Sequence, residues 1–427
     1  MDQYSTYTQG SLVKRTHERY NLAMAKKSPT MLRVPYGQAV HGEEEKKRVV
    51  QVLDEHRTIM GKEIREFEER VAKIYNKKFG VMVNSGSSAI LLALELLDLP
   101  EGSEIITPLL TFATTVGPIV MKKHIPVFAD VEEGTYNINV DQIEDLITKK
   151  TKALIIPLLL GNASNLIRIR DIAKKHNLYF IEDSCDTLGA TYKGKPTGTY
   201  SDISITSFYG SHIITAGGGG GILMMNRSDW RDRARVLRGW GRSSSLFSES
   251  EDINIRFKGK LGSIPYDAKF IFDEIGYNFL PMEIGAAFGN AQLKRLPSFR
   301  KIRERNFADL YSFFKKYEQF FILPKQHPQL RTQWLAFPLT LREKAPFQRL
   351  QLAEYLEKAN VQTRPIFTGN ILKQPGFAHI KHRKMKNDYK ITEAVMRRGI
   401  VVGCHHGLEK KHINRIKDVF GAFLRKL

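Results

Sequence analysis

Seven short apolar runs, most of them rich in β-branched residues, recur between residues 79 and 226. They are FGVMV (79–83), EIITP (104–108), IPVFAD (125–130), KALIIPLLL (152–160), LYFIED (178–183), ISITSFY (203–209) and GILMMN (221–226). Segments of helical spacing, such as SSAILLALELL and NLIRIRDIAKKHN, separate most of them. Strands that alternate with helices must be joined by crossovers, so the pattern predicts βαβ units and a mostly parallel sheet. The runs are apolar throughout, as strands covered on both faces require. The fold class is therefore α/β, and any ligand is expected at the carboxyl ends of the strands.

The remainder reads as additions to that sheet. Residues 1–32 form a polar extension, 33–295 the large domain and 296–427 a smaller C-terminal α/β domain. One helix is predicted from about Pro281 (MEIGAAFGNAQLKRL) and a second over 298–317, with a last one from about 409. The polar stretch 243–268 reads as a long loop, a class of segment that often covers active sites.

Composition removes several functions. Of 427 residues, 42% are hydrophobic and 10% aromatic, which suits a globular core. No window approaches 18 consecutive apolar residues, so no membrane span is expected. The amino terminus lacks an apolar core followed by a small-residue cleavage site, and a cytoplasmic protein is expected. Cys185 and Cys404 are the only cysteines, too few for a four-thiolate zinc or iron–sulfur site. The net charge of +21 invites a nucleic-acid reading. The basic residues are spread along the chain, however, and the densest patch, HIKHRKMKNDYK (379–390), has little aromatic interleaving. A diffuse basic surface is the simpler account.

Four motifs fall where strands end. VNSGSSAI (83–90) runs from a strand through a Gly-Ser turn into a helix, a natural phosphate cradle at Gly86, Ser87 and Ser88, though serine is also an ordinary cap. YFIEDSCDTLGA (179–190) places an acidic pair at a buried strand exit, where a lone charge is costly; Asp183 suits a protonated ring nitrogen. SFYGSHIITAGGGGG (207–221) carries Ser207, His212 and five glycines. IGYNFLP (275–281) places Asn278 before a helix. A phosphate cradle, a buried carboxylate and a strand-end base, in that order, describe a pyridoxal-phosphate site. His405 and His406 suggest a metal, but adjacent side chains diverge and no further ligand has suitable spacing. Cys185 reads as a small buried residue.

From RVPYG, VNSGSSA, TPLLTFATT, IEDSCDTLGA, SFYGSH, IGYN and QTRPIFTGN, the chain resembles the DegT/DnrJ/EryC1/StrS sugar aminotransferase and dehydratase family of fold-type I pyridoxal-phosphate enzymes. The resemblance runs from about Arg33 to the carboxyl end and implies an aspartate aminotransferase-like fold. It further implies that Gly86, Ser87, Ser88 and Ser207 contact the cofactor phosphate, and that Phe112 stacks on the ring. Asp183 would pair with the ring nitrogen, and Asp186 would lie near the ring hydroxyl. Asn278 would reach the phosphate of a neighbouring subunit, which means a homodimer with shared sites. Arg364 would lie near substrate.

Aminotransferases of this family carry lysine where His212 stands, and the NDP-4-keto-6-deoxyhexose 3-dehydratases carry histidine. The resemblance therefore implies pyridoxal or pyridoxamine 5'-phosphate chemistry that removes the C3 hydroxyl of such a sugar in deoxysugar biosynthesis. Glutamate would be the amino donor, and there would be no iron–sulfur cluster. Imidazole cannot hold the cofactor covalently, but it carries protons well near neutral pH. Two other readings stay open: an aminotransferase that uses Lys193 or Lys195, and a basic, non-catalytic regulator. The glycines Gly217 to Gly221, where relatives have Gly-Glu-Gly-Gly, are expected to give the backbone close access to cofactor or substrate.

Overall fold

The computed structural model describes residues 31–247, 251–385 and 388–427. The predicted polar extension lies outside them except for its last two residues.

All seven apolar runs are strands of one sheet: β1 (Phe79–Val83), β2 (Glu104–Pro108), β3 (Ile125–Ala129), β4 (Thr151–Pro157), β5 (Tyr179–Asp183), β6 (Ile203–Ser207) and β7 (Gly221–Met225). Their spatial order is β1-β7-β6-β5-β4-β2-β3. β7 alone is reversed, antiparallel to both β1 and β6. The other six run the same way, so their carboxyl ends share one edge. Helices α1 (Glu43–Asp54) and α2 (Lys62–Ile74) precede the sheet. α3 (Gly86–Glu95), α4 (Ala113–Met121), α5 (Leu166–Lys175) and α6 (Ser228–Arg238) lie between or after its strands. Val81, Val83, Ile105, Ile155, Ile181 and Ile205 are fully buried beneath α3 and α6, and the even-numbered residues of the same strands serve the other face.

The two predicted helices between 281 and 317 are one, α7 (Glu283–Phe314). Pro297 lies within it; a proline removes one hydrogen bond, and dense packing on both sides keeps the rod continuous. A division of the chain at 295/296 therefore falls inside a helix. The C-terminal part is built on a second sheet of β8 (Phe321–Ile322), β9 (Ala336–Leu341), β10 (Thr363–Arg364) and β11 (Gly399–Gly403), in the order β8-β9-β11-β10. All three pairings are antiparallel, so this unit is not a second parallel α/β layer. α8 (Arg349–Lys358), α9 (Lys390–Arg398) and α10 (Lys410–Leu424) accompany it. Val34 pairs with Val361 and belongs to this second core, so the segment before α1 packs on the C-terminal unit. The stretch read as a loop, 243–268, contains a turn of helix (Ile253–Arg256) and a hairpin, Gly259–Leu261 with Ile264–Tyr266. None of its described residues lines the cavity described next.

Candidate active site

The shared strand edge opens into a cavity of about 580 Å3, a volume typical of small-molecule sites. Its floor is supplied by strand ends: Ser85 to Ser87 after β1, Pro157 to Leu160 at the end of β4, Asp183, Cys185 and Asp186 at the end of β5, and Ser207 at the end of β6. Phe112 and Thr115 wall one side; Tyr36, Arg364 and Phe367 close over from the C-terminal unit.

The turn after β1 is shaped for a close ligand. Ser85 caps α3, its hydroxyl accepting the Ser88 N–H at 3.1 Å. The amides that open a helix are left for an anion, favoured there by the helix dipole. A Cβ added to Gly86 would lie 2.7 Å from Ser207 Cβ and 3.1 Å from Cys185 Sγ, so only glycine lets the helix start approach β6. Ser87 and Ser207 line the cavity. Ser88 does not: its hydroxyl donates to Asn84 Oδ1 at 2.6 Å, and the residue is buried behind the turn.

Consecutive residues of a strand face opposite ways, and this separates the acidic pair. Glu182 turns into a nest of the Ser184, Ser201 and Ser204 hydroxyls near Lys77. Asp183 faces the cavity, its Oδ2 accepting from Thr115 Oγ1 at 3.1 Å and its Oδ1 from the Cys185 amide at 3.2 Å. Burial raises its carboxyl above the usual range, and no cation among the described residues pairs with it. A carboxylate so placed awaits a positive partner.

His212 follows β6 and also lines the cavity. Its Nε2 lies 3.8 Å from Asp186 Oδ1, and the ring is buried against the Ser207 backbone. Burial, and then the Arg303 guanidinium, push the imidazole down to about 4, so it is neutral at pH 7. Asp186 is raised to about 7 by burial and by Asp183, although the Leu160 N–H donates to its Oδ2 at 2.9 Å.

The other predicted residues are dispersed. Phe112 is half exposed at the cavity wall, and Arg364 lies over the Tyr36 ring at 5.7 Å. Asn278 is exposed, pairs with Gly239 and does not line this cavity. Nor does any lysine among the described residues; Lys193 lies on the turn of a separate hairpin and Lys195 on its return strand. The five glycines do not touch the cavity either, contrary to expectation. Gly217, Gly218 and Gly220 have φ of 72°, 106° and 111°, and a Cβ on Gly221 would lie 2.3 Å from Ser85 C and O. The run turns the chain back and buttresses the β1 turn from behind. His405 and His406 have separate partners, the Pro35 carbonyl at 3.1 Å and the Arg303 Nε at 3.2 Å. Tyr36, Thr115, Tyr209 and Leu160 are site residues that the sequence reading missed. RVPYG was visible as a motif, but nothing in it says that its tyrosine reaches a sheet beginning 43 residues later.

The sequence profile of the DegT/DnrJ/EryC1/StrS aminotransferase family matches residues 40–420. The lipopolysaccharide biosynthesis protein RfbH of Salmonella typhimurium is 36% identical over 368 residues, covering 84% of each chain. A dTDP-4-dehydro-2,6-dideoxy-D-glucose 3-dehydratase of Saccharopolyspora spinosa is 34% identical over 402 residues, 91% of this chain and 86% of that one. Among solved structures, the Escherichia coli GDP-4-keto-6-deoxy-D-mannose-3-dehydratase with bound hydrated PLP superposes with a TM-score of 0.83 at 28% identity. It covers 91% of this chain and 99% of that one. With nearly all of its described length matched by one profile and its fold shared with a solved relative, the chain belongs to the DegT/DnrJ/EryC1/StrS aminotransferase family.

Proposed function

We propose that this protein is a pyridoxal-phosphate-dependent lyase that removes the C3 hydroxyl of an NDP-4-keto-6-deoxyhexose, with glutamate as amino donor. The observation that carries this reading is His212, a neutral base at the strand-end position, in a cavity that no lysine among the described residues lines. The two relatives named as 3-dehydratases support it. The cavity fits the cofactor. Gly86 lets the start of α3 close against Ser207 at the cavity floor, Ser87 and Ser207 line that corner, and among the described residues Asp183 has no cation partner.

In this reading the α3 amides, Ser87 and Ser207 hold the phosphate, Phe112 covers the ring, and Asp183 holds its protonated nitrogen. The amine form of the cofactor, when bound, supplies the nitrogen that joins the sugar's keto carbon and a ring that takes up electron density. His212 takes and returns a proton at its imidazole nitrogen, a role for which a base already neutral at pH 7 is suited. The walls formed by Leu159, Leu160 and Phe367 keep water from the reacting atoms. Arg364, beside Tyr36 at the mouth, takes an anionic part of the substrate. Asn278 lies outside its own chain's cavity among exposed apolar side chains, which supports a homodimer in which it completes the partner's site.

A second reading, a sugar aminotransferase, is favoured by the family description itself. One incubation separates the two. The protein is mixed with pyridoxal phosphate, glutamate and a panel of NDP-4-keto-6-deoxyhexoses, and 2-oxoglutarate, ammonia and sugar mass are followed. The expected product is a 3-deoxy-4-keto sugar with ammonia released. An aminosugar that retains its C3 hydroxyl, or a lysine–cofactor adduct after borohydride reduction, overturns the proposal.

A further inference from the structure

Dehydration moves two protons: one leaves carbon, and one must reach the departing oxygen. His212 accounts for the first, and the neighbouring carboxyl offers the second. Asp186 lines the same cavity, and its two oxygens are differentiated by the backbone. Oδ2 accepts the Leu160 N–H at 2.9 Å, and Oδ1 faces His212 Nε2 at 3.8 Å. The fixing amide is costly to present. Leu160 has φ 61° and ψ 14°, a left-handed conformation that side chains with a Cβ disfavour. The turn is locked by the Leu335 N–H on the Leu160 carbonyl at 2.8 Å and by Gly161, whose Cβ would strike Gln333 and Trp334. Strain held in place at a cavity wall is a mark of function.

We propose that Asp186 is the general acid of the reaction, giving the proton on Oδ1 to the departing C3 oxygen while His212 Nε2 takes up the proton lost from carbon. This rests on the dehydratase reading. The atoms balance. Nε2 gains the proton that carbon loses, and the electron pair left behind expels the C3 oxygen. That oxygen takes the Asp186 proton and leaves as water. The resulting imidazolium and carboxylate face each other across the 3.8 Å gap. Transfer of the proton from Nε2 to Oδ1 then resets both groups for the next turnover. The resting protonation agrees. Burial and Asp183 raise Asp186 to about 7, and burial lowers His212 to about 4, so between these values the acid holds its proton while the base is bare. The other titratable or charged groups around the pair are Cys185, Tyr209 after β6, Tyr36 from the N-terminal segment, Arg364 from β10, Arg303 from α7 and Cys404 after β11.

The test compares the natural sugar nucleotide with its 3-fluoro analogue, whose leaving group needs no proton. In Asp186→Asn holoenzyme, water loss should fall about a hundred-fold or more, while fluoride release stays near wild type. Asp186→Glu should recover part of the water loss, and His212→Asn should lose both reactions. Equal loss of both reactions in Asp186→Asn, or loss of neither, overturns the acid role and leaves the dehydratase reading standing. Failure of the wild type on both substrates sinks the dehydratase reading and the acid with it. An infrared difference spectrum of the cofactor-free protein, wild type minus Asp186→Asn, should show the carbonyl band of a protonated carboxylic acid at pH 6 that fades above pH 7. Should Asp186→Asn fail to fold, the same band sought with 13C-aspartate in the wild type decides, and its absence at pH 6 overturns the proposal.

Discussion

At the scale of single residues, His212 separates two chemistries. Replacing it by lysine restores a primary amine at the end of β6. His212→Lys is expected to trap pyridoxal phosphate as a borohydride-reducible adduct, seen as a mass increase, and to lower dehydration about a hundred-fold or more; an unchanged dehydration rate would count against His212 as the base. The buried histidines also set how acid acts on the fold. Burial lowers His212 to about 4, His405 to about 3 and His406 to about 2. The native state refuses protons that the unfolded chain binds below about 6.5, so this stability is present above pH 6.5 and is lost as pH falls. Asp186 acts oppositely, because its raised native pKa favours the folded state as pH falls from 7. His124 and His327 are lowered as well, and Glu132, Glu182 and Asp183 are raised with Asp186. The carboxyls offset part of the histidine loss, and a net fall in stability is expected between pH 6.5 and 4. Urea midpoints at pH 7.0 and 5.5 check this, and an equal or higher midpoint at 5.5 would refute it. Asp183 was legible as a site candidate because it ends an apolar run and His212 because it follows one, whereas Ser207 was named through the family resemblance. Leu160 was not: within KALIIPLLL it reads as more strand, and only the packing of Gln333 to Leu335 on Gly161 shows the turn.

At the scale of elements, the glycine run has two kinds of member. Gly218 needs its positive φ but meets nothing within 4 Å, and Gly221 needs its missing Cβ because the backbone of Ser85 and Gly86 lies against it. Gly218→Ala should therefore cost about 1 kcal/mol from backbone strain alone and leave cofactor affinity intact. Gly221→Ala must displace the phosphate turn or separate β7 from β1, and should cost about 3 kcal/mol or more and weaken pyridoxal phosphate binding at least ten-fold. Thermal midpoints and absorbance titration of both variants test this, and similar behaviour of the two would refute the buttress. The strands of the main sheet were readable because burial on both faces leaves an unbroken apolar run. α7 was misread because Pro297 is a strong local stop. The helix continues through it because Leu296 and Phe299 pack against the sheet core on one side, and Leu310 and Phe314 enter the second core further on.

At the scale of the whole molecule, the site is assembled from two units, with β1, β5 and β6 supplying its floor and Tyr36 and Arg364 its roof. Asn278 stands apart from both. It follows Ile275, the most exposed large apolar side chain at 99%, and Phe272 and Met282 nearby are also exposed. A cluster of this kind is stable in water when covered, and a two-fold dimer covers each copy with the same patch. If Asn278 serves the partner's cavity, each site needs His212 from one subunit and Asn278 from the other. His212→Asn and Asn278→Ala homodimers would then each be impaired at both sites. A mixed dimer has one site that carries both lesions and one that carries neither. Subunits unfolded together and refolded at equal ratio form mixed dimers half of the time, so about a quarter of all sites should be intact. Activity of the mixture is expected to rise to about a quarter of the wild type, while the separate variants refolded alike stay low. Activity no higher than the mean of the two variants would place Asn278 outside the shared site, and a monomer by light scattering would remove the dimer itself.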